Sequence, residues 1–260
     1  MAIHPTAIIH PTAVLGSGVA VGPYTVIGPR VVVGEDTEIQ AHVCIDKDTT
    51  IGQRCRLFPF ASIGADPQDM KYAGEETRLE IGDDVTIRES ATIHRGTTAG
   101  GGVTRIGDKS LVMATVHVAH DCQIQNEVIL SSFAVLAGHV HIDEQAIVSG
   151  STAIHQFVRV GRQAFIGGMS GVVKDAPPYM ILAGVRDQAV VVSPNAVGMR
   201  RRGFSETALE AIAGAFKLLR SHVPLKEVLA EIETKWPDSP EAAVIVDFYR
   251  GSSRGRGVYR

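Results

Sequence analysis

Residues 3–38 run IHPTAI, IHPTAV, LGSGVA, VGPYTV, IGPRVV, VGEDTE, and each group of six opens on an aliphatic residue. The rule continues through Ile39, Ile45, Ile51, Leu57 and Ile63. It returns from Ile106 through Val112, Val118, Ile124, Leu130, Leu136, Ile142, Val148, Ile154, Val160 and Ile166 to Val172. Neither a helix of period 3.6 nor a strand of period 2 selects every sixth residue alone. A hexapeptide repeat is the mark of a parallel β-helix, in which short strands stack coil upon coil. The slot four residues after each aliphatic takes small side chains such as Ala7, Ala13, Thr25 and Ala61. Cys55 and Cys122 fall in that slot, so both read as core packing and not as reactive thiols.

If three hexads close one coil, the repeats define a triangular prism with eighteen residues per turn and rungs ~4.8 Å apart. Two excursions interrupt it. Across 64–80 the aliphatic slot fails at Asp69 and Glu75, so the segment loops out; Ile81, Ile87 and Ile93 then resume the pattern. A second excursion, 97–105, contains Gly100-Gly101-Gly102, suited to a turn. The repeat is expected to stop at Lys174-Asp175-Ala176-Pro177-Pro178. Beyond it the pattern turns helical. Ser205 can cap a helix whose apolar face holds Leu209, Ile212, Ala213, Phe216 and Leu219. A second helix is expected from Leu225 to Thr234, and a third opens at Ser239-Pro240-Glu241, carrying Val244, Ile245 and Phe248. The tail 251–257 reads as flexible. The expected organisation is a parallel β-helix over 1–192 and a C-terminal α-helical domain over 193–260.

Composition excludes several classes. The 260 residues carry a formal charge of −3, so no global basic field argues for nucleic acid. No apolar run approaches the ~18 residues a membrane span needs. The N-terminus shows no basic segment followed by an apolar one, so a cytoplasmic chain is expected. Three scattered cysteines form neither a disulfide framework nor a zinc motif.

Eighteen-residue spacing sorts the polar residues of the second block. His120, Gly138 and Gln156 fall in one column; Asp121, His139 and Phe157 form the column on one side, and Ala119, Ala137 and His155 the column on the other. His120, Gly138, His139, His155 and Gln156 should therefore converge, with His117 close by. The set suits acyl transfer to a hydroxyl. An imidazole can take the proton of an attacking alcohol near neutrality. A backbone N–H at Gly138, with no side chain in the way, could stabilise an oxyanion. Either Asp69 or Asp121 could fix the imidazole tautomer. His4, His10 and His94 directly follow an aliphatic slot and read as surface or packing residues. Zinc is a second use for histidines, but no two here are separated by four residues, as in zinc-binding hexapeptide proteins, and no metal is assigned.

Beyond the repeats, the chain carries specific strings: Gln68-Asp69-Met70-Lys71-Tyr72-Ala73-Gly74-Glu75, Ile87-Arg88-Glu89-Ser90, Ile93-His94-Arg95-Gly96-Thr97, His117-Val118-Ala119-His120-Asp121-Cys122, Leu136-Ala137-Gly138-His139, His155-Gln156-Phe157, Pro177-Pro178-Tyr179 and Arg201-Arg202-Gly203-Phe204. Through these the chain resembles the UDP-N-acetylglucosamine acyltransferase family of hexapeptide-repeat acyltransferases over about residues 3–250. The resemblance implies a left-handed β-helix. It also implies transfer of a 3-hydroxyacyl group from acyl carrier protein to the 3-hydroxyl of UDP-N-acetylglucosamine, the first step of lipid A biosynthesis. His120 would be the general base, Asp69 its orienting carboxylate, and Gly138 the oxyanion donor. Gln68, Lys71, His117, His139, His155 and Gln156 would line the acyl and nucleotide-sugar sites. Asn195, Arg201 and Arg202 would hold the uridine and its phosphates. Val197 departs from an acidic residue usual in the family, and Gly168 matches a position that limits acyl-chain length when bulky. No cofactor is implied beyond the phosphopantetheine arm of the carrier protein. Lys217, Arg220 and Arg200 to Arg202 could form a basic docking surface for that acidic partner, and the family works as a homotrimer with sites between subunits. A related hexapeptide acyltransferase using a 3-amino sugar, and a non-catalytic scaffold, remain as alternatives.

Overall fold

The computed structural model describes residues 2–185, 188–252 and 257–260. Short strands, about one per hexad, assemble into three sheets whose strands run parallel along the coils. Ile3 pairs with Val21, Ile9 with Ile27 and Leu15 with Val33, so a rung recurs every eighteen residues. Three six-residue sides close each coil, and the winding is left-handed. The first face carries pairs such as Ala20–Val21, the second Val26–Ile27, and the third Val32–Val33.

The corners set the shape. Tyr24, Arg30, Asp36, His42, Asp48, Arg54 and Phe60 recur six apart with φ between 54° and 64°. This left-handed backbone costs a non-glycine residue ~1–2 kcal/mol. A hydrogen bond offsets it: the N–H of the same residue donates to a corner carbonyl one coil earlier, as His42 does to Pro23 and Phe133 to Ala114. The aliphatic residue of each hexad points inward, so Ile45, Ile63, Leu136 and Ile166 are fully buried. The small slot behind them holds Thr25, Thr37, Ala61, Cys55 and Cys122, all buried. The first coil has no rung beneath it, and its inward residues Ile3, Ile9 and Leu15 are not fully buried, unlike Val21, Ile27 and Val33 above them. There His4 Nδ1 meets Thr6 Oγ1 at 2.9 Å, and Thr6 Oγ1 accepts the Tyr24 N–H at 3.0 Å, with His10, Thr12 and Arg30 repeating the arrangement.

Both excursions leave from the edge between the second and third faces and return in register. Ile81 stacks on Ile51, thirty residues earlier instead of eighteen, and Ile106 stacks on Ile81. The coil also outlasts the repeat. Past Pro177-Pro178, Ile181 and Leu182 pair parallel with Phe165 and Ile166, so stacking does not stop where sequence spacing does. The last rung is sixteen residues after its partner, which destroys the count of six while keeping the ladder. The strand Val190–Pro194 then adds antiparallel at the sheet edge.

Four helices follow: α1 (Ala196–Arg201), α2 (Glu206–Leu219), α3 (Leu225–Lys235) and α4 (Pro240–Arg250). Ser205 Oγ accepts the Ala208 N–H and Ser239 Oγ the Ala242 N–H, as cap residues do. The short α1 has no hydrophobic period and escaped sequence reading; Asn195 caps it. Of the tail expected to be flexible, residues 253–256 lie outside the described residues. The chain end is bound: Val258 bridges to Asp175, and Tyr259 is buried with its hydroxyl accepting the Val173 N–H.

Burial pushes the Cys55 thiol up to about 11 and the Cys122 thiol up to about 12. Native protein treated with an alkylating reagent at pH 8 should therefore be modified at Cys44 alone, with Cys55 and Cys122 reacting only after denaturation. Mass spectrometry of the adducts checks this; a second native adduct would mean the small slot is open.

Candidate functional site

The edge between the second and third faces gathers the residues expected to converge. After the strand His117–Val118 the chain turns through Ala119, His120 and Asp121, and one coil later through Ala137, Gly138 and His139. The His139 N–H donates to the His120 carbonyl, and the Phe157 N–H to the Gly138 carbonyl, so the columns expected from spacing are real stacks. The His139 ring lies flat on Phe157 at 4.4 Å and edge-on to His120 at 5.2 Å. A Cβ on Gly138 would lie 2.6 Å from His120 Cε1 and 2.9 Å from Nε2, so any larger residue would push the imidazole aside. The ladder also leaves the Gly138 N–H free: Ala137 donates to Ile154 and His139 to His120, with no acceptor taking the amide between them among the described residues.

Asp121 holds the imidazole. Its carboxylate is fully buried and accepts His120 Nδ1 at 2.8 Å. The Thr97 N–H reaches Oδ1 at 2.8 Å and the Thr97 hydroxyl reaches Oδ2 at 2.6 Å. A carboxylate only accepts, so Nδ1 carries the proton and Nε2, on the Gly138 side, is the basic nitrogen. The 97–105 excursion explains the local geometry. Asp121 sits at φ 61° like other corner residues, but its N–H donates to Thr104 Oγ1 because the excursion has displaced the usual corner carbonyl. Gly100 at the turn is required, since a Cβ there would strike the Asp121 carboxylate at 2.0 Å.

Asp69, expected to orient His120, does not do so within the chain. Its Oδ1 accepts the Lys71 N–H at 2.9 Å, and among the described residues no hydrogen bond joins it to His120. The insertion leaves its coil two rungs below the imidazole, ~10 Å along the ladder, and Gln68 and Lys71 at its tip are exposed. His117 lies on the second face, with Nδ1 2.8 Å from Thr92 Oγ1 and its ring 5.3 Å from His94. His155 Nδ1 faces the Gln156 carbonyl at 3.2 Å, and the Gln156 side chain is exposed.

The remaining candidates sit on other edges. Gly168 is on the edge between the first and second faces, three rungs beyond Val112 in the stack, with nothing closer than Gly150 O at 3.4 Å to a Cβ there. Asn195 is spent on structure: Oδ1 accepts the Gly198 N–H and Nδ2 donates to Gln163 O. Arg202 pairs with Glu127 at 2.7 Å on the edge between the third and first faces, while Arg201 is exposed. Thr97, Thr104 and His94 were not singled out by spacing, because the excursions shift their partners to separations of 24, 17 and 28 residues, none a multiple of eighteen.

His120, Asp121 and His139 offer ligand atoms within 4.8 Å of one another, the one such group found among the described residues. The Asp121 oxygens already accept from Thr97 and His120. A cavity of about 460 Å³ among the helices, lined by Thr207, Ala211, Trp236 and Pro240, includes none of these residues.

Residues 175–258 match the family described as UDP-N-acetylglucosamine O-acyltransferase, domain 2. The whole chain is similar to LpxA from Acinetobacter baumannii, with 40% identity, full coverage of both chains and a TM-score of 0.95. It is similar to the UDP-N-acetylglucosamine O-acyltransferase of Moraxella catarrhalis, with 40% identity, full coverage of both and a TM-score of 0.96. The UDP-N-acetylglucosamine acyltransferase of Bacteroides fragilis matches at 42% identity, 99% coverage of each chain and a TM-score of 0.95.

Burial, with His94 and His120 nearby, holds the His117 pKa below its ordinary value. Folding thus favours the neutral ring. That stability is complete above the ordinary histidine range near pH ~6.5 and is lost as pH falls through the depressed folded value. Urea unfolding followed from pH 7 downward should show a shallower acid-side decline for His117→Asn than for the parent.

Proposed function

The chain belongs to the UDP-N-acetylglucosamine acyltransferase family, and we propose that the His120–Asp121 dyad carries out its reaction: transfer of a 3-hydroxyacyl group from acyl carrier protein to the 3-hydroxyl of UDP-N-acetylglucosamine. This is the first step of lipid A biosynthesis, carried out in the cytoplasm. The observation that carries the mechanism is the buried Asp121 carboxylate on His120 Nδ1, which turns Nε2 toward Gly138, a corner position that has no side chain.

His120 Nε2 takes the proton of the 3-hydroxyl as its oxygen attacks the thioester carbonyl. The imidazolium formed is stabilised by Asp121, itself locked by Thr97. The developing oxyanion accepts the free Gly138 N–H. The tetrahedral adduct collapses with loss of the phosphopantetheine thiolate, which recovers the proton from His120. A positioned base contributes ~10²- to 10⁴-fold and one oxyanion donor ~3 kcal/mol. No covalent acyl-enzyme is needed, because the sugar supplies the nucleophile.

A homotrimer supports the remaining candidates. Gln68, Asp69 and Lys71 project from the insertion, and Asn195, Arg201 and Arg202 lie on a different edge from His120, so a site between prisms would let one subunit's loops face another's imidazole. Of the three uridine-side residues, Arg201 is the one that is exposed and, among the described residues, in no ion pair. Exposed Val197 cannot replace the charge of the usual acidic residue. Exposed Lys217 on α2 and Arg220 at its C-cap suit the acidic carrier protein. Gly168 lies three rungs, ~14 Å, up the prism from the coil of His120, which fits a long acyl chain lying along the second face.

Purified protein with 3-hydroxyacyl carrier proteins of several lengths should acylate UDP-N-acetylglucosamine, read by mass spectrometry. His120→Ala should cut kcat by at least ~10²-fold with the trimer intact, and Asp121→Asn should also reduce it. Unchanged turnover in His120→Ala would favour a scaffold, and exclusive use of a 3-amino sugar would favour the related N-acyl reaction. Gly168→Met should move donor preference to shorter chains. Preference for a short donor by the parent protein would overturn the reading of Gly168.

A further inference from the structure

We propose that Arg95 is a positioning residue that holds the insertion bearing Gln68, Asp69 and Lys71 in place beneath the His120–Asp121 dyad; this rests on the acyl-transfer reading above. Arg95 is the largest fully buried side chain of the described residues, and it is a cation. It lies two residues past Ile93, as His120 lies two past Val118, and Ile93 pairs with Val118, so Arg95 occupies the column one rung below the imidazole.

Its guanidinium points down into the root of the insertion. Nη1 donates to Gly64 O, and Nη2 to the Asp66 carboxylate and, at 3.3 Å, to the Tyr72 hydroxyl. Asp46 lies 3.5 Å from Nη1. The backbone around it is stitched to the same root. The Arg95 N–H donates to Ala65 O at 3.0 Å, His94 Nδ1 to Asp66 O at 2.6 Å, and the Gly96 N–H to Arg78 O at the far end of the insertion. Gly64, where the chain leaves the coil, has φ 78° and no room for a Cβ beside Thr49 Oγ1. Residues 94–96 thus grip both roots of the loop, and the next residue, Thr97, turns the other way to grip Asp121.

The loop tip has no comparable anchor, since Gln68, Met70 and Lys71 are exposed. Its direction is inherited from the root. A lysine keeps the charge but cannot reproduce the planar fork that engages a carbonyl, a carboxylate and a hydroxyl together. A loosened root would let the tip drift, and displacements near 1 Å cost up to ~100-fold in rate.

The test uses the full-length protein with Arg95→Lys, Asp66→Asn and the double variant. Hydrogen exchange by mass spectrometry, without substrates, should rise about tenfold over 66–76 in each single variant while amides of the prism strands keep their protection. With acyl carrier protein substrate, kcat/KM for the nucleotide sugar should fall ~10- to 100-fold, chiefly through KM. The pH profile of kcat should keep its shape because His120 and Asp121 are untouched, and the double variant should be no worse than the poorer single one. Arg95→Lys could unfold the coil; Asp66→Asn, half-exposed, carries the same prediction without that risk. Unchanged exchange over 66–76 in Asp66→Asn, or protection lost equally throughout the prism, would overturn the assignment. A parent protein that exchanges as described but acylates no nucleotide sugar would overturn the reaction and leave the clamp standing.

Discussion

Everything in this molecule depends on the corner hydrogen bond that ties each coil to the one before it. A residue forced into the left-handed region donates its N–H to a carbonyl one coil back, and three such corners per turn fix the count at eighteen. A slip of one residue on any face would turn the aliphatic side chains outward. Extra chain can therefore enter only at an edge, and only if it returns in step. Both excursions obey this, and both use the edge on which His120, Gly138 and Gln156 stand.

That shared edge explains how a rigid, repetitive core comes to hold a reactive group. Above the first coil, where Thr6 and Thr12 serve Tyr24 and Arg30, corner carbonyls such as those of Pro23 and Ala114 satisfy the corner amides of the next coil. Above the 97–105 excursion that carbonyl is missing; Thr104 replaces it, and Thr97 is free to fold over Asp121. The buried carboxylate is tolerable because each oxygen has a donor. Its bond to His120 then directs the basic nitrogen toward Gly138, whose lack of a side chain lets the ring lie close. Strand stacking places these groups to within the tolerance of a β-ladder, without any loop having to find its position.

Much of this was legible in the sequence, for one reason: regular spacing translates directly into contact. The six-residue rule located the inward residues, the buried cysteines and the columns of His120 and His139. It failed where spacing ceased to be regular. Ile181 and Leu182 stack a rung too far for a reader counting sixes, since the last turn is two residues short. Thr97 reaches Asp121 across twenty-four residues, and Arg95 reaches Asp66 across twenty-nine, intervals set by the lengths of the excursions. The choice between Asp69 and Asp121 was open on residue type alone, and resemblance favoured Asp69. Only the geometry of the turn shows that the neighbour in sequence is the carboxylate on the ring. Asn195 and Arg202 came from the resemblance; within the chain Asn195 bonds to Gln163 and Gly198, and Arg202 pairs with Glu127.

An architecture that grows by adding identical rungs has no natural length, and its free ends are templates for another chain. At one end α2 and α4, the last strand and the returning Tyr259 close the stack. At the other, Thr6 and Thr12, backed by His4 and His10, accept the corner amides of Tyr24 and Arg30 on the second coil. The opening words of the repeat, IHPTA twice over, thus tie the first coil to the second through side-chain hydroxyls, where later coils use backbone carbonyls.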